Sequence, residues 1–340
     1  MTAPVLWCLV AAALFGASTP AAKALIGELS PLILAGLLYL GAALAVAPFA
    51  FRGGSPDRRR DPVNRRRLAG VVLFGGILGP AALLYGLRTA PAASASLWLN
   101  LETLATTLFA LLIFREHIGL RAGVAHVLLV LGGVLLAVPT AGADLTAVGW
   151  IALACACWGL DNNLTALIDG YTPAQSTLAK GLVAGTFNLG AGLLLDGPPS
   201  GAASTALALG LGALAYGVSL LLYVGAAQQL GAARSQMIFS IGPFLGVPLA
   251  WLVLDEPVFG LQVVAGLIML VAVGLLLGTT HAHAHRHEQV THTHLHRHDD
   301  GHHAHTHHAP VTGWHTHEHV HVLQEHAHAH APDLHHRHRH

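Results

Sequence analysis

The sequence predicts an all-α membrane protein: ten transmembrane helices in two inverted five-helix repeats, followed by a disordered histidine-rich tail. Three observations carry this. The 340-residue chain is 54% hydrophobic and only 10% charged, where a soluble domain carries about 25% charged residues. Most ionisable residues concentrate in two places, the run Arg52 to Arg67 and the segment after Thr280. Elsewhere the chain is a series of apolar stretches of about 20 residues, the length that crosses a bilayer as helix.

Taken in order, the spans fall near 5–26, 30–51, 68–87, 92–114, 119–138, 147–168, 173–195, 204–227, 232–254 and 260–278. Helix is the open-chain solution, because lipid satisfies no backbone polar group. Many Gly, Ala and Ser positions let such helices approach closely. The N-terminus lacks the basic start and short apolar core of a cleavable signal, so the first span is read as retained. Cys8, Cys155 and Cys157 all lie in apolar segments, which is not a disulfide framework.

Orientation follows from the basic residues. Arg52, Arg58, Arg59, Arg60, Arg65, Arg66 and Arg67 share one loop between spans two and three. The positive-inside rule places that loop in the cytoplasm. Counting spans from there puts both termini, and the tail, on the cytoplasmic side, and the inner membrane is the expected location.

The chain repeats itself. Ala92-Ala93 opens span four and "FREHIGL" follows it; Ala232-Ala233 opens span nine and "LDEPVFGL" follows it. Glu116 and Glu256 each come 24 residues after those starts. "LFGAS" in span one resembles "CWGLD" in span six. The domains read as 1–140 and 147–278, with the tail at 279–340. Five spans per half is an odd number, so the second half is inverted. Arg115 and Arg121 flank the loop holding Glu116, expected inside, while the loop holding Glu256 has no Lys or Arg. Inverted repeats are a recurrent plan of secondary transporters, with the cargo site near the midplane between halves. The alternative is duplicated helical packing with no transport.

These features together resemble the drug/metabolite transporter superfamily, EamA type: ten spans, two such repeats, "FREHIGL" and "LDEPVFGL" after spans four and nine, and closing apolar helices rich in Gly. The resemblance covers residues 1–278. It implies export of small metabolites, amino acids or drugs without ATP. It also implies a proline partway along spans four and nine, often after Glu. Span nine has Pro243 after Gly242, but span four has Glu102-Thr103 and no proline there. A straighter fourth span is therefore expected.

Few ionisable side chains lie well inside the spans: Lys23, Glu102, His126, Asp161 and Lys180. Each costs about 2.5–3.5 kcal/mol on insertion scales, so each is a candidate site. Helical spacing puts Trp98, Glu102 and Thr106 on one face, with Asn100 and Thr103 nearby. Cys157, Asp161 and Thr165 share a face of span six, and Asn162 and Asn163 widen its polar patch. Lys180 has Ser176 and Thr177 one turn back and Asn188 two turns on. One reading is a polar cavity that binds cargo and exchanges protons or a cation. The other is internal pairing of Lys180 with Asp161 or Glu102. Lys23, near the outer end of span one, can snorkel. His126 reads as a packing residue. Cys155 and Cys157 point about 200° apart and cannot clamp one ion, and Asp255-Glu256-Pro257 reads as a helix stop.

Residues 281–340 hold 24 of the 26 histidines. With almost no apolar periodicity, no stable fold is expected there without a ligand. In extended chain, residues i and i+2 share a face. The expected metal ligands are therefore the H-x-H runs His281, His283, His285, His287, then His292, His294, His296, His298, then His315, His317, His319, His321. Neutral imidazole suits Zn, Ni, Co or Cu. Asp299, Asp300, Glu318 and Glu325 can complete shells, but no closed Cys/His finger spacing appears. Low-complexity drift and a proton-sensing tail are the competing readings.

The sequence thus predicts a transporter, not an enzyme, with no required cofactor and no nucleic-acid partner. The first expectation is export of a divalent transition metal or its complex, with the tail gathering metal. The alternatives are a metabolite, amino-acid or drug exporter whose tail senses metal or pH, and a membrane-anchored metal buffer. No G-x-x-x-x-G-K-[ST] loop supports ATP-driven pumping.

Overall fold

The computed structural model describes residues 3–51, 62–114, 120–137, 145–168, 171–199, 201–230 and 232–277, and the backbone of four segments beyond them. Arg52, Arg58, Arg59, Arg60, Arg115, Glu116, His298, Asp299 and Asp300 lie outside the described residues.

Among the described residues, eight helices are long and apolar enough to span a bilayer. They are α1 (Ala3–Leu25), α2 (Pro31–Ala50), α3 (Pro62–Thr89), α4 (Ala92–Leu112), α6 (Leu145–Leu167), α7 (Pro173–Asp196), α8 (Ala202–Ala227) and α9 (Ser235–Val253). Two shorter apolar helices, α5 (Gly123–Leu136) and α10 (Gly260–Leu276), complete the set. At about 1.5 Å rise per residue these two fall short of the roughly 30 Å hydrocarbon core. Large apolar side chains such as Leu112, Leu194 and Leu252 stand exposed on the outside, as a lipid-facing surface requires.

The helices start where local chemistry dictates. Ser30 caps α2 and Thr172 caps α7, each followed by proline at the first helical position. That proline has no N–H to leave unsatisfied. Thr172 and Gln175 form a reciprocal capping box. Gly197, at φ 81°, ends α7 in a conformation that favours glycine.

Packing shows a two-fold pattern. Exchanging α1 with α6, α2 with α7, α3 with α8, α4 with α9 and α5 with α10 maps the main contacts onto one another. Helix α2 packs on α7 and α5 on α10; α3 on α6 is matched by α8 on α1; α2 on α8 is matched by α7 on α3; α4 on α6 is matched by α9 on α1. The heaviest packing therefore runs between the halves, which interlace.

Backbone contact at the crossings needs missing side chains. A Cβ on Gly16 would sit 2.1 Å from the Gly242 carbonyl oxygen, and one on Gly159 would sit 2.7 Å from Ala105 Cβ. These are α1 against α9 and α6 against α4, matched crossings.

Regular helix also fails in matched places. Residues Val71–Leu78 of α3 and Gly212–Val218 of α8 are π-helical, a geometry frequent at functional sites. Helix α9 turns at Ser240-Ile241, ahead of Pro243. Helix α4 breaks as well, at Leu99-Asn100. The straight fourth span expected from its missing proline is thus corrected. The physical reason is Asn100: its amide Nδ2 donates to the Leu97 carbonyl at 3.1 Å. Backbone bonds there shorten to i→i−3, from Asn100 to Leu97, Glu102 to Leu99 and Thr103 to Asn100. A side chain inserted into the ladder kinks a helix as proline does.

The tail needs a second correction. Expected as disordered, its described parts are extended and paired. Strand β1 (His281–His287) pairs antiparallel with β4 (Gln324–His330), and β2 (Val290–His296) with β3 (His315–His321). The alternation that suggested a repeated ligand pair is also the period of a strand, and Thr and Val favour extended backbone. The all-α class holds for the membrane part alone.

Gly16→Ala is expected to destabilise the fold by about 1–3 kcal/mol through overpacking against backbone. Gly190→Ala, in the interior of α7 with open space at its Cβ, should instead stabilise by up to about 1 kcal/mol. Thermal unfolding of purified protein compares the two.

Candidate functional site

A small cavity lies between the halves. Its lining brings Glu102 from α4, Asp161 and Asn162 from α6, Lys180 from α7 and Gln236 from α9 together with six aromatic rings. The free volume is about 30 Å³, room for one or two waters.

One charge pair is internal. Lys180 Nζ donates to Asp161 Oδ2 at 2.6 Å, and Thr165 Oγ1 donates to Asp161 Oδ1 at 3.2 Å. Gly75 makes room for the carboxylate, since a Cβ there would lie 2.1 Å from Asp161 Oδ2. The π-helical stretch shapes this spot further. Gly79 N–H reaches back five residues to Phe74. The matching donor for the Gly75 carbonyl would be residue 80, which is proline and has no N–H. That carbonyl instead accepts from Tyr39 OH at 2.5 Å and Trp158 Nε1 at 3.1 Å.

Glu102 differs from Asp161. Its Oε1 accepts from Asn162 Nδ2 at 2.8 Å and Gln236 Nε2 at 3.1 Å. Tyr223 OH in turn donates to Gln236 Oε1 at 2.9 Å. Among the described residues no cation pairs with Glu102, and its Oε2 takes no hydrogen bond. A buried carboxylate held by one oxygen, with the other toward a cavity, can accept a proton or balance a positive charge.

The structure therefore brings Glu102, Asp161, Asn162 and Lys180 together at the cavity. Three other expected residues do different work. Asn163 Nδ2 donates to the Thr106 and Gly159 carbonyls at 2.9 and 2.8 Å, tying α6 to α4. Asn100 stabilises the break in α4 and is not in the lining. Lys23 Nζ donates to the carbonyls of Leu87 and Ala90, at 2.6 and 2.9 Å, closing the end of α3. His126 Nε2 meets Thr107 Oγ1 at 3.0 Å. Cys155 Sγ donates to the Trp98 carbonyl and Cys8 Sγ to that of Ser235. Glu256 is more than a helix stop: its two oxygens accept from Ala92 N and Ala93 N at 2.6 and 2.9 Å, capping α4 across 164 and 163 residues.

Sequence reasoning missed Gln236 and the rings. Gln236 was findable as a polar residue in an apolar span. It stands 140 positions after Ser96, as Ala232 stands 140 after Ala92. The aromatic residues carried no signal, because single rings in apolar spans read as packing.

The site is thus a small cavity between interlaced halves, lined by Glu102, Asp161 and Lys180 in a bundle of apolar helices. The EamA-like transporter family model matches residues 2–138 and again 145–278; the chain belongs to that family. It is 28% identical over 217 residues to an uncharacterized transporter of Methanothermobacter thermautotrophicus, a match covering 60% of this chain and 62% of that protein. The chain thus spans about three fifths of that relative's length. A protein of known crystal structure superposes over 81% of this chain and 98% of its own, with a TM-score of 0.61 and 18% identity, which shows shared fold. Its family and its long apolar helices make it an integral membrane protein.

Lys180→Met alone should leave Asp161 buried and uncompensated, costing roughly 3–5 kcal/mol. Lys180→Met with Asp161→Asn should recover most of that. Thermal unfolding of the single and double variants checks it.

Proposed function

We propose that this protein is a ten-span secondary transporter of two inverted repeats, 1–140 and 147–278, exporting a small organic solute. It sits in the inner membrane with both termini cytoplasmic. The observation that carries this reading is Glu102: a carboxylate buried between the halves, lining the cavity, with no ion-pair partner among the described residues. A charge kept at that depth without a partner is costly, so it serves cargo or a coupling proton. Asp161 and Lys180 hold the cavity wall. Asn162 orients the Glu102 carboxylate.

A bare divalent metal, the first expectation, fits the cavity less well. Its oxygen donors are one unpaired carboxylate and two amides, and among the described residues no group of three His, Cys, Asp or Glu is placed to hold a metal. The tail is the better place for metal. Its register sets His281 opposite His330, His283 opposite His328 and His285 opposite His326. It likewise sets His292 opposite His319, His294 opposite His317 and His296 opposite His315. Paired strands with histidine at each second register position support loading with Zn, Ni, Co or Cu at the cytoplasmic mouth, as a sensor or collector.

Two measurements test the reading. In proteoliposomes, Glu102→Gln should reduce solute transport at least roughly a hundredfold if the carboxylate meets cargo or proton. Unchanged transport in both Glu102→Gln and Asp161→Asn would sink the site assignment. For the tail, one alanine inserted between Glu325 and His326 keeps every histidine but slips the register by one. Nickel affinity of the full chain should fall roughly tenfold. Unaltered affinity would mean that pairing plays no part.

A further inference from the structure

We propose that the central cavity takes an organic cation, an amine or quaternary ammonium, with Glu102 balancing its charge and an aromatic cage covering its apolar shell. This rests on the reading of the cavity as the cargo site.

The cage is continuous. Tyr39 meets Tyr216 at 5.5 Å between ring centroids, and Tyr216 meets Phe15 at 5.6 Å. Phe15 meets Trp158 at 5.9 Å edge-on and Phe239 at 5.2 Å, and Phe239 meets Tyr223 at 4.8 Å. All six rings line the cavity. Three of them are tyrosines, of five in the whole chain, so the concentration is not the background frequency of a greasy span.

The polar groups of this cage are already engaged. Tyr39 and Trp158 spend their hydrogens on the Gly75 carbonyl, and Tyr223 spends its own on Gln236. The rings therefore offer cargo their π systems and apolar surface, with few hydrogen bonds. That disfavours a sugar-like solute. The charges point the same way. Lys180 and Asp161 cancel each other at 2.6 Å, which leaves Glu102 as the uncompensated ionisable group of the lining. An anion would meet that carboxylate, and a neutral solute would leave it stranded. A small metal ion is strongly hydrated and needs oxygen, nitrogen or sulfur donors that aromatic carbons do not supply. A weakly hydrated organic cation is attracted by ring quadrupoles and by a carboxylate together.

With about 30 Å³ free, the rings must part to admit such cargo. The two π-helical stretches sit on the cage wall: one carries Gly75, whose carbonyl holds Tyr39 and Trp158, and the other carries Tyr216. Each half thus contributes one irregular segment to the wall that has to yield.

The test is calorimetric titration of the full chain in nanodiscs. The probes are tetramethylammonium, choline and benzyltrimethylammonium, against 3,3-dimethyl-1-butanol, the uncharged isostere of choline. At least one cation should bind, and choline should bind roughly tenfold or more tighter than its isostere. Glu102→Gln should erase that preference. Tyr223→Leu should weaken cation binding roughly tenfold, while Tyr223→Phe, which keeps the ring, should retain most of it. Thermal unfolding of each variant confirms that it is folded. Equal binding of choline and its isostere, or a Glu102→Gln protein that still prefers the cation, overturns the proposal. So does Glu102-dependent transport of an uncharged solute with no binding of any cation, though that result leaves the transport reading standing. Transport unaffected by Glu102→Gln removes both.

Discussion

The arrangement depends on one constraint: an ionised group in a bilayer has to be enclosed by protein. Lys180 and Asp161 satisfy it by meeting at 2.6 Å, a contact that links α7 to α6. It requires space, which Gly75 supplies by having no side chain where the Asp161 carboxylate lies. From there the geometry spreads. The π-helical turn and Pro80 free the Gly75 carbonyl, which gathers Tyr39 and Trp158 onto the same spot. Helices α2, α3, α6 and α7 thus converge on one glycine. The cavity floor follows from that convergence.

Close crossings do the remaining assembly. Lipid gives little hydrophobic drive between helices, so association rests on backbone approach and buried hydrogen bonds. Gly16 against Gly242 and Gly159 against Ala105 supply the first. Asn163, bonded to the Thr106 and Gly159 carbonyls, supplies the second at the α4–α6 crossing. The matched crossing of α1 and α9 has glycine on both sides, so the two halves reach the same geometry by different means.

Much of this was legible in the sequence, and the legible part has a physical reason. Apolar length and rare charge expose membrane helices, because lipid penalises every exception. For the same reason Glu102, Asp161 and Lys180 stood out, and they do share a cavity. What stayed hidden was whatever depends on partners distant in sequence. Glu256 looked like a helix stop, and only folding shows its oxygens on the N–H groups of Ala92 and Ala93. The break in α4 was hidden because proline was taken as the sign of a kink, while Asn100 makes one with its amide. Paired strands in the tail were hidden because a period-two histidine pattern was read for its ligands and not for its backbone.

The Glu256 cap has a kinetic consequence. It ties the first residues of α4 to the segment between α9 and α10, and Lys23 closes the end of α3 on the same face by holding the Leu87 and Ala90 carbonyls. That face cannot part without stripping acceptors from the amides of Ala92 and Ala93 at one helix end. The stripped groups find water only after the gap has widened, so the loss comes before the compensation. Such ordering makes any parting of that face a barrier crossing and not a gradual widening, with the breakage of two short bonds as its first cost.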